Sequence, residues 1–134
     1  CYAEREEGLG LPPASFDLAL SNLTLHWAND LGGVFGHLRS LLRADCPLLG
    51  CMLGGDTLYE LRCSLQQAEQ EVAGGMAMRT SPMTDAATVA DALYAAGFKM
   101  VTVDTDEIVV GYPNLLELMH SLQAMGESNA ATVR

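Results

Sequence analysis

Apolar positions along the chain change period several times, and each change marks an element. The run "FDLALS" (16–21) is almost continuously apolar between a proline-rich loop and Asn22, which predicts a strand covered on both faces. From Leu31 onward the apolar residues Val34, Phe35, Leu38, Leu41 and Leu42 recur at helical spacing. Asn29 or Asp30 is available as the cap, and Gly32 and Gly33 weaken the first turn. "CPLLGCML" (46–53) returns to a continuous apolar run and predicts a second buried strand. Strand, helix and strand then form a βαβ unit, whose crossover makes the two strands parallel.

Beyond that unit, "GGDTLYELRCSLQQAEQEV" (54–72) opens with Thr57 and, three residues later, Glu60, the spacing of a capping box. Leu58, Leu61, Leu65, Ala68 and Val72 give the helix an inward stripe. A Gly- and Met-rich linker follows at 73–83, and Thr84 or Asp85 starts the next helix. Val89, Leu93 and Ala96 form its apolar face and Gly97 its stop. The β-branched stretch "FKMVTVDTDEIVVGY" (98–112) predicts a long strand, interrupted at the acidic "DTDE" by a bulge, bend or hairpin. Pro113 and Asn114 open a last helix, with Leu115, Leu118, Met119, Leu122 and Met125 inward and Gly126 at its end. The predicted order is β-α-β-α-α-β-α, an α/β fold entered through an incoming loop at 1–15.

Composition then narrows the function classes. With 134 residues and 49% hydrophobic content, the chain is long and apolar enough for one domain with a packed core. Seven Lys and Arg against 17 Asp and Glu give a net charge of −10 with no offsetting basic patch, so nucleic acid is not an expected partner. The longest apolar run, "CPLLGCMLGG" (46–55), falls short of the roughly 18 residues that a membrane helix needs, so no transmembrane segment is expected. Cys1, Cys46, Cys51 and Cys63 make no C-x-x-C pair and have no His at ligand spacing. Buried, reduced thiols are expected, and no metal site.

In an open parallel sheet, ligands bind outside the carboxyl ends of the strands. Ser21, Asn22 and Leu23 after the first strand, and Gly54, Gly55 and Asp56 after the second, are therefore expected to line one crevice. Glycines there allow close backbone approach, and the helix start at Thr57 presents N–H groups to an anion. Ser21 and Asn22 equally serve to end a strand, and Gly54 and Gly55 to turn a corner. His26 beside Trp27 has the pattern of a packing residue as much as of a general base. No Ser-His-Asp, paired-carboxylate or metal constellation assembles from the sequence, so no catalytic residue is assigned.

"FDLALSNLTLHWANDL" (16–31) resembles the fourth-strand motif of class I S-adenosylmethionine-dependent methyltransferases, and "RADCPLLGCMLGGDTLYELR" (43–62) resembles their fifth strand and the helix after it. More narrowly, "GGDTLYELRCSLQQAE", "AAGFKMVTVDTDEIVVGYP" and "LMHSLQAMGESNA" resemble the mitochondrial complex I assembly arginine-hydroxylases. That family is related to the malonyl-acyl-carrier-protein O-methyltransferases of biotin synthesis. The match runs from Glu6 over nearly the whole chain.

The resemblance implies a partial Rossmann-like methyltransferase fold, strands four to six with flanking helices, and makes 1–134 the C-terminal portion of one domain. The first three strands would lie before Cys1, which stands where an initiator Met is absent, and the last strand after Arg134. It implies S-adenosyl-L-methionine as the cofactor of the parent protein, held weakly or not at all by this portion alone. Ser21, Asn22 and Leu23 would pass beside the methionine part of the cofactor, with His26 and Trp27 at the substrate mouth and Gly54, Gly55, Asp56 and Thr57 toward substrate or partner. The family's upstream acid, which contacts adenine, falls where this chain has Arg5 in "REEGLGL" (5–11), leaving Glu6 to substitute.

The same resemblance implies a mitochondrial protein on the matrix side of the inner membrane, peripheral to it. Its partner would be an iron-sulfur subunit of respiratory complex I, on which it hydroxylates an arginine. Two alternatives remain beside this reading. A malonyl-carrier O-methyltransferase would need a basic docking surface for its acidic carrier, which a −10 chain does not offer. A non-catalytic assembly scaffold is the other, since fold does not fix function.

Overall fold

The computed structural model describes residues 10–75 and 83–128. Its elements run β1 (Ala19–Asn22), a 3-10 turn (Leu25–Trp27), α1 (Leu31–Leu41), β2 (Leu48–Cys51), α2 (Tyr59–Val72), α3 (Ala86–Ala95) and α4 (Leu115–Met125). The described residues fall into two compact units, one of 10–55 with 83–105 and one of 56–75 with 106–128.

In the first unit β1 and β2 pair in parallel, as the helical crossover requires, with Ala19 opposite Leu48 and Asn22 opposite Cys51. Asp30 is the cap of α1, its carboxylate accepting the Gly33 N–H at 2.9 Å. The predicted stripe of α1 is inward: Phe35 is only 1% exposed, and Leu41 and the following Leu42 are buried. Helix carbonyls in the last turn have no partner within the helix. Here the incoming chain supplies partners, because Ala14 and Ser15 donate their N–H groups to the carbonyls of Ser40 and Leu41. Phe16 then bridges Leu42, and an exposed Arg43–Asp17 ion pair at 2.6 Å lies beside that junction.

Helix α3 packs with α1 in the same unit. Its cap is Asp85, whose carboxylate accepts the Thr88 N–H at 2.7 Å, and that hydrogen bond holds the Asp85 carboxyl below its usual range.

In the second unit neither α2 nor α4 carries a buried residue. α4 follows the sequence closely: the Asn114 side chain accepts the Glu117 N–H at 3.0 Å, and Gly126 ends the helix at φ 81, a conformation free of steric penalty only without a Cβ. α2 departs from it. The helix begins at Tyr59 behind a left-handed Leu58 (φ 56), and no side chain caps it. Thr57 thus lies outside the helical frame, and the capping box with Glu60 does not form.

Further expectations are corrected. Residues 98–112 contain no strand, despite their β-branched content, because strand propensity is expressed only where a neighbouring strand accepts the backbone ladder. The two-stranded sheet is not covered on both faces either: Leu20 is 71% and Leu49 58% exposed. Val72, Leu115, Met119 and Met125, read as inward-facing, are exposed for the same reason, having no packed layer over them. Cys46, Cys51 and Cys63 are free thiols, but only Cys46 is partly buried.

Candidate functional site

The ladder carries β1 through Ser21 and Asn22, two residues that the sequence pattern placed at its end. Ser21 pairs with Gly50 and Asn22 with Cys51. Leu23 then turns the chain in a left-handed conformation (φ 49) while its N–H still donates to the Cys51 carbonyl at 2.8 Å. The Thr24 hydroxyl donates back to the Asn22 carbonyl at 2.9 Å. This hooked exit delivers Leu25 and His26 into the interior, each 8% exposed. Gly50 lies against it: a Cβ there would stand 3.4 Å from the Leu25 Cδ1, at ordinary contact distance. The His26 and Trp27 rings lie 5.4 Å apart and tilted, so His26 has the burial and ring contact of a packing residue.

Because β2 runs parallel to β1, its exit leaves at the same end of the sheet. Gly54 is exposed and bridges Thr84, and Gly55 lies against the Thr84–Asp85 backbone, 3.9 Å from the Asp85 nitrogen to an ideal Cβ. The structure therefore gathers Ser21, Asn22, Leu23, Gly54 and Gly55 in one unit, at one end of its sheet. Asp56, exposed, and Thr57, half-buried, belong to the second unit. Glu6 lies outside the described residues.

At the β1 exit the exposed Asn22 amide offers both a donor and an acceptor, the half-buried Ser21 offers a hydroxyl, and Leu23 offers an exposed apolar wall. Among the described residues no group of three His, Cys, Asp or Glu is placed to hold a metal ion. No described helix is long and apolar enough to cross a membrane. A groove of about 180 Å³ does open in the first unit, lined by Leu11, Phe16, Leu18, Ala19, Leu38 and Leu41 among others. It lies toward the amino end of β1, has no polar side chain, and is smaller than the roughly 300–1,000 Å³ of ordinary ligand pockets, so it is not the crevice expected from topology.

Several features of these loops were not read from the sequence. Thr24 carried no sequence signal beyond a short polar loop, and Thr84 was read as a possible helix start and not as the partner of Gly54. Tyr59 and Cys63 lie one helical turn apart on α2, and the neighbouring Cys63 side chain raises the Tyr59 pKa. Their i, i+4 spacing was the available clue.

No family model matches the chain. The zebrafish (Danio rerio) mitochondrial arginine-hydroxylase NDUFAF5 is 50% identical over 131 residues, covering 98% of this chain and 41% of the relative. Its human counterpart is 51% identical over 126 residues, 94% of this chain and 36% of the relative. The malonyl-[acyl-carrier protein] O-methyltransferase of Methylovorus sp. (strain MP688) is 35% identical over 128 residues, 96% of this chain and 41% of the relative. The chain thus spans about two fifths of the length of these relatives. Along nearly its whole length it is similar to the NDUFAF5 arginine-hydroxylases and, at lower identity, to methyltransferases.

Proposed function

We propose that this chain forms part of the S-adenosyl-L-methionine-binding domain of a mitochondrial arginine-hydroxylase that acts in assembling respiratory complex I. The observation that carries the reading is 50% identity to the zebrafish hydroxylase over 98% of the chain. The two parallel strands with their crossover helix support this reading, since a pair of that kind fits strands four and five of a Rossmann-like methyltransferase fold.

Ser21, Asn22 and Leu23 suit one end of the cofactor: an amide and a hydroxyl for the charged amino-acid arm, and an aliphatic wall beside its sulfur. His26 backs this exit from the interior, and Trp27, Gly54 and Gly55 border the substrate side. When bound, S-adenosylmethionine supplies a sulfonium centre. The residues of this chain orient its amino-acid arm and shield it from water on the Leu23 side. The protein's target is an arginine on an iron-sulfur subunit of complex I, reached from the matrix side of the inner membrane.

The test is loss and rescue in cells. Removing the protein should abolish arginine hydroxylation on complex I iron-sulfur subunits, read by mass spectrometry of their peptides, and the wild-type protein should restore it. Unchanged arginine hydroxylation would contradict the reading. Loss of malonyl-carrier methyl ester instead would favour the methyltransferase that the 35% identity also allows.

A further inference from the structure

The second unit leaves large apolar side chains in solvent within one short stretch. Ile108 and Val109, just ahead of α4, and Leu115, Leu116, Met119 and Met125 of the helix itself are each more than half exposed. Single exposed leucines are ordinary on a protein surface, but a concentration of this kind marks a surface that another molecule covers. On α4, Leu115 and Met119 stand one turn apart on the same side with Leu116 beside them, the spacing by which one helix receives another. Methionine adds an unbranched side chain that adapts to the shape of a partner.

Charge selects what that partner is. The sequence has no Lys or Arg between Lys99 and Arg134, while Asp106, Glu107, Glu117 and Glu127 all fall in that interval. Asp106, Glu107 and Glu117 are exposed in the same unit as α4. An anionic lipid surface is a poor match, because helices that lie on such surfaces carry Lys and Arg beside their apolar face. A second copy of this chain is also a poor match, since it would set acid against acid with no cation from this stretch between them. A helix with an apolar stripe flanked by Lys or Arg satisfies both features at once.

We propose that the exposed apolar face of α4, with the acidic residues around it, docks a basic amphipathic helix of a partner protein. The proposal is independent of the cofactor site, whose strand exits belong to the first unit.

The full-length protein would be titrated calorimetrically with a synthetic helical peptide of leucine and lysine, its leucines at helical spacing, and with the leucine–glutamate counterpart. The lysine peptide should bind, more weakly as salt is raised, and the glutamate peptide should not. The combined Leu115→Gln and Met119→Gln variant should keep its circular dichroism and bind the lysine peptide at least roughly tenfold more weakly, the loss expected when buried apolar contacts are removed. In the unmutated protein the Met119 methyl resonance should shift as the peptide is added, a readout that needs no variant. Equal affinity in the variant, equal binding of the two peptides, or an unmoved Met119 methyl would overturn the proposal. So would self-association that the variant abolishes, which makes a second copy the occupant, or a Met119 methyl already shielded from solvent in the free protein, which makes the occupant another part of the same protein.

Discussion

The first unit holds every buried side chain found among the described residues: Leu25, His26, Phe35, Leu41 and Leu42. The second holds two amphipathic helices, α2 and α4, neither of which buries a residue. Both were read from the same helical spacing of apolar residues, yet only α1 turned that stripe into a core. The difference shows what a periodic pattern establishes and what it leaves open. Periodicity fixes which face of a helix is apolar; burial needs a second layer, and in the first unit α3 and the incoming chain provide one. In the second unit the helices rest on local devices, the Asn114 cap and the Gly126 stop in α4 and a backbone bond from Tyr59 to Asp56 at the start of α2.

Mutations should separate the two units by magnitude. Phe35→Ala opens a cavity in the core of the first unit and should cost about 3–5 kcal/mol in chemical denaturation. Leu118→Ala, on a half-buried position of α4, should cost less than half as much. Equal losses at the two sites would break the comparison. Asn114→Ala removes the cap of α4 and should lower its stability by about 1 kcal/mol, seen as earlier loss of helical circular dichroism.

The cap of α3 adds a pH signature. The Asp85 carboxyl is held low by its hydrogen bond to Thr88, so its folded pKa lies below its unfolded one. Its contribution is present above the unfolded pKa and is lost as pH falls through the folded one. The stability gap between the parent and Asp85→Ala should therefore be widest near neutrality and narrow in acid, which denaturation at a series of pH values would show. The smallest effect belongs to Arg43→Ala. Its ion pair with Asp17 is exposed on both sides, so the loss should be under about 1 kcal/mol and should fade with added salt.

How much was legible in the sequence varies by element. The βαβ unit, the parallel pairing and the caps of α1, α3 and α4 followed from local chemistry: a continuous apolar run, a helical period, and an Asp or Asn at the right place. The reading failed wherever a partner surface was needed. Val103, Ile108, Val109 and Val110 have strand propensity but stand exposed and outside any strand. Thr57 and Glu60 have the spacing of a capping box, and a left-handed Leu58 between them removes it. Within the candidate site, the residues at the strand exits were visible in "SNLTLHW" and in Gly54–Gly55, since strand ends announce themselves in residue type. The left-handed turn at Leu23 was not visible, because leucine is not a residue whose presence signals that conformation.

The account stands on the claim that the β1 exit holds part of an S-adenosylmethionine site. The most direct measurement is calorimetric titration of S-adenosylmethionine into the full-length protein and into its Asn22→Ala variant, with the unfolding midpoint recorded for both. The account predicts saturable binding by the first and roughly tenfold weaker binding by the second at an unchanged midpoint, the effect of losing hydrogen bonds to a charged group. Absence of binding, or equal affinity in the two proteins, would contradict it.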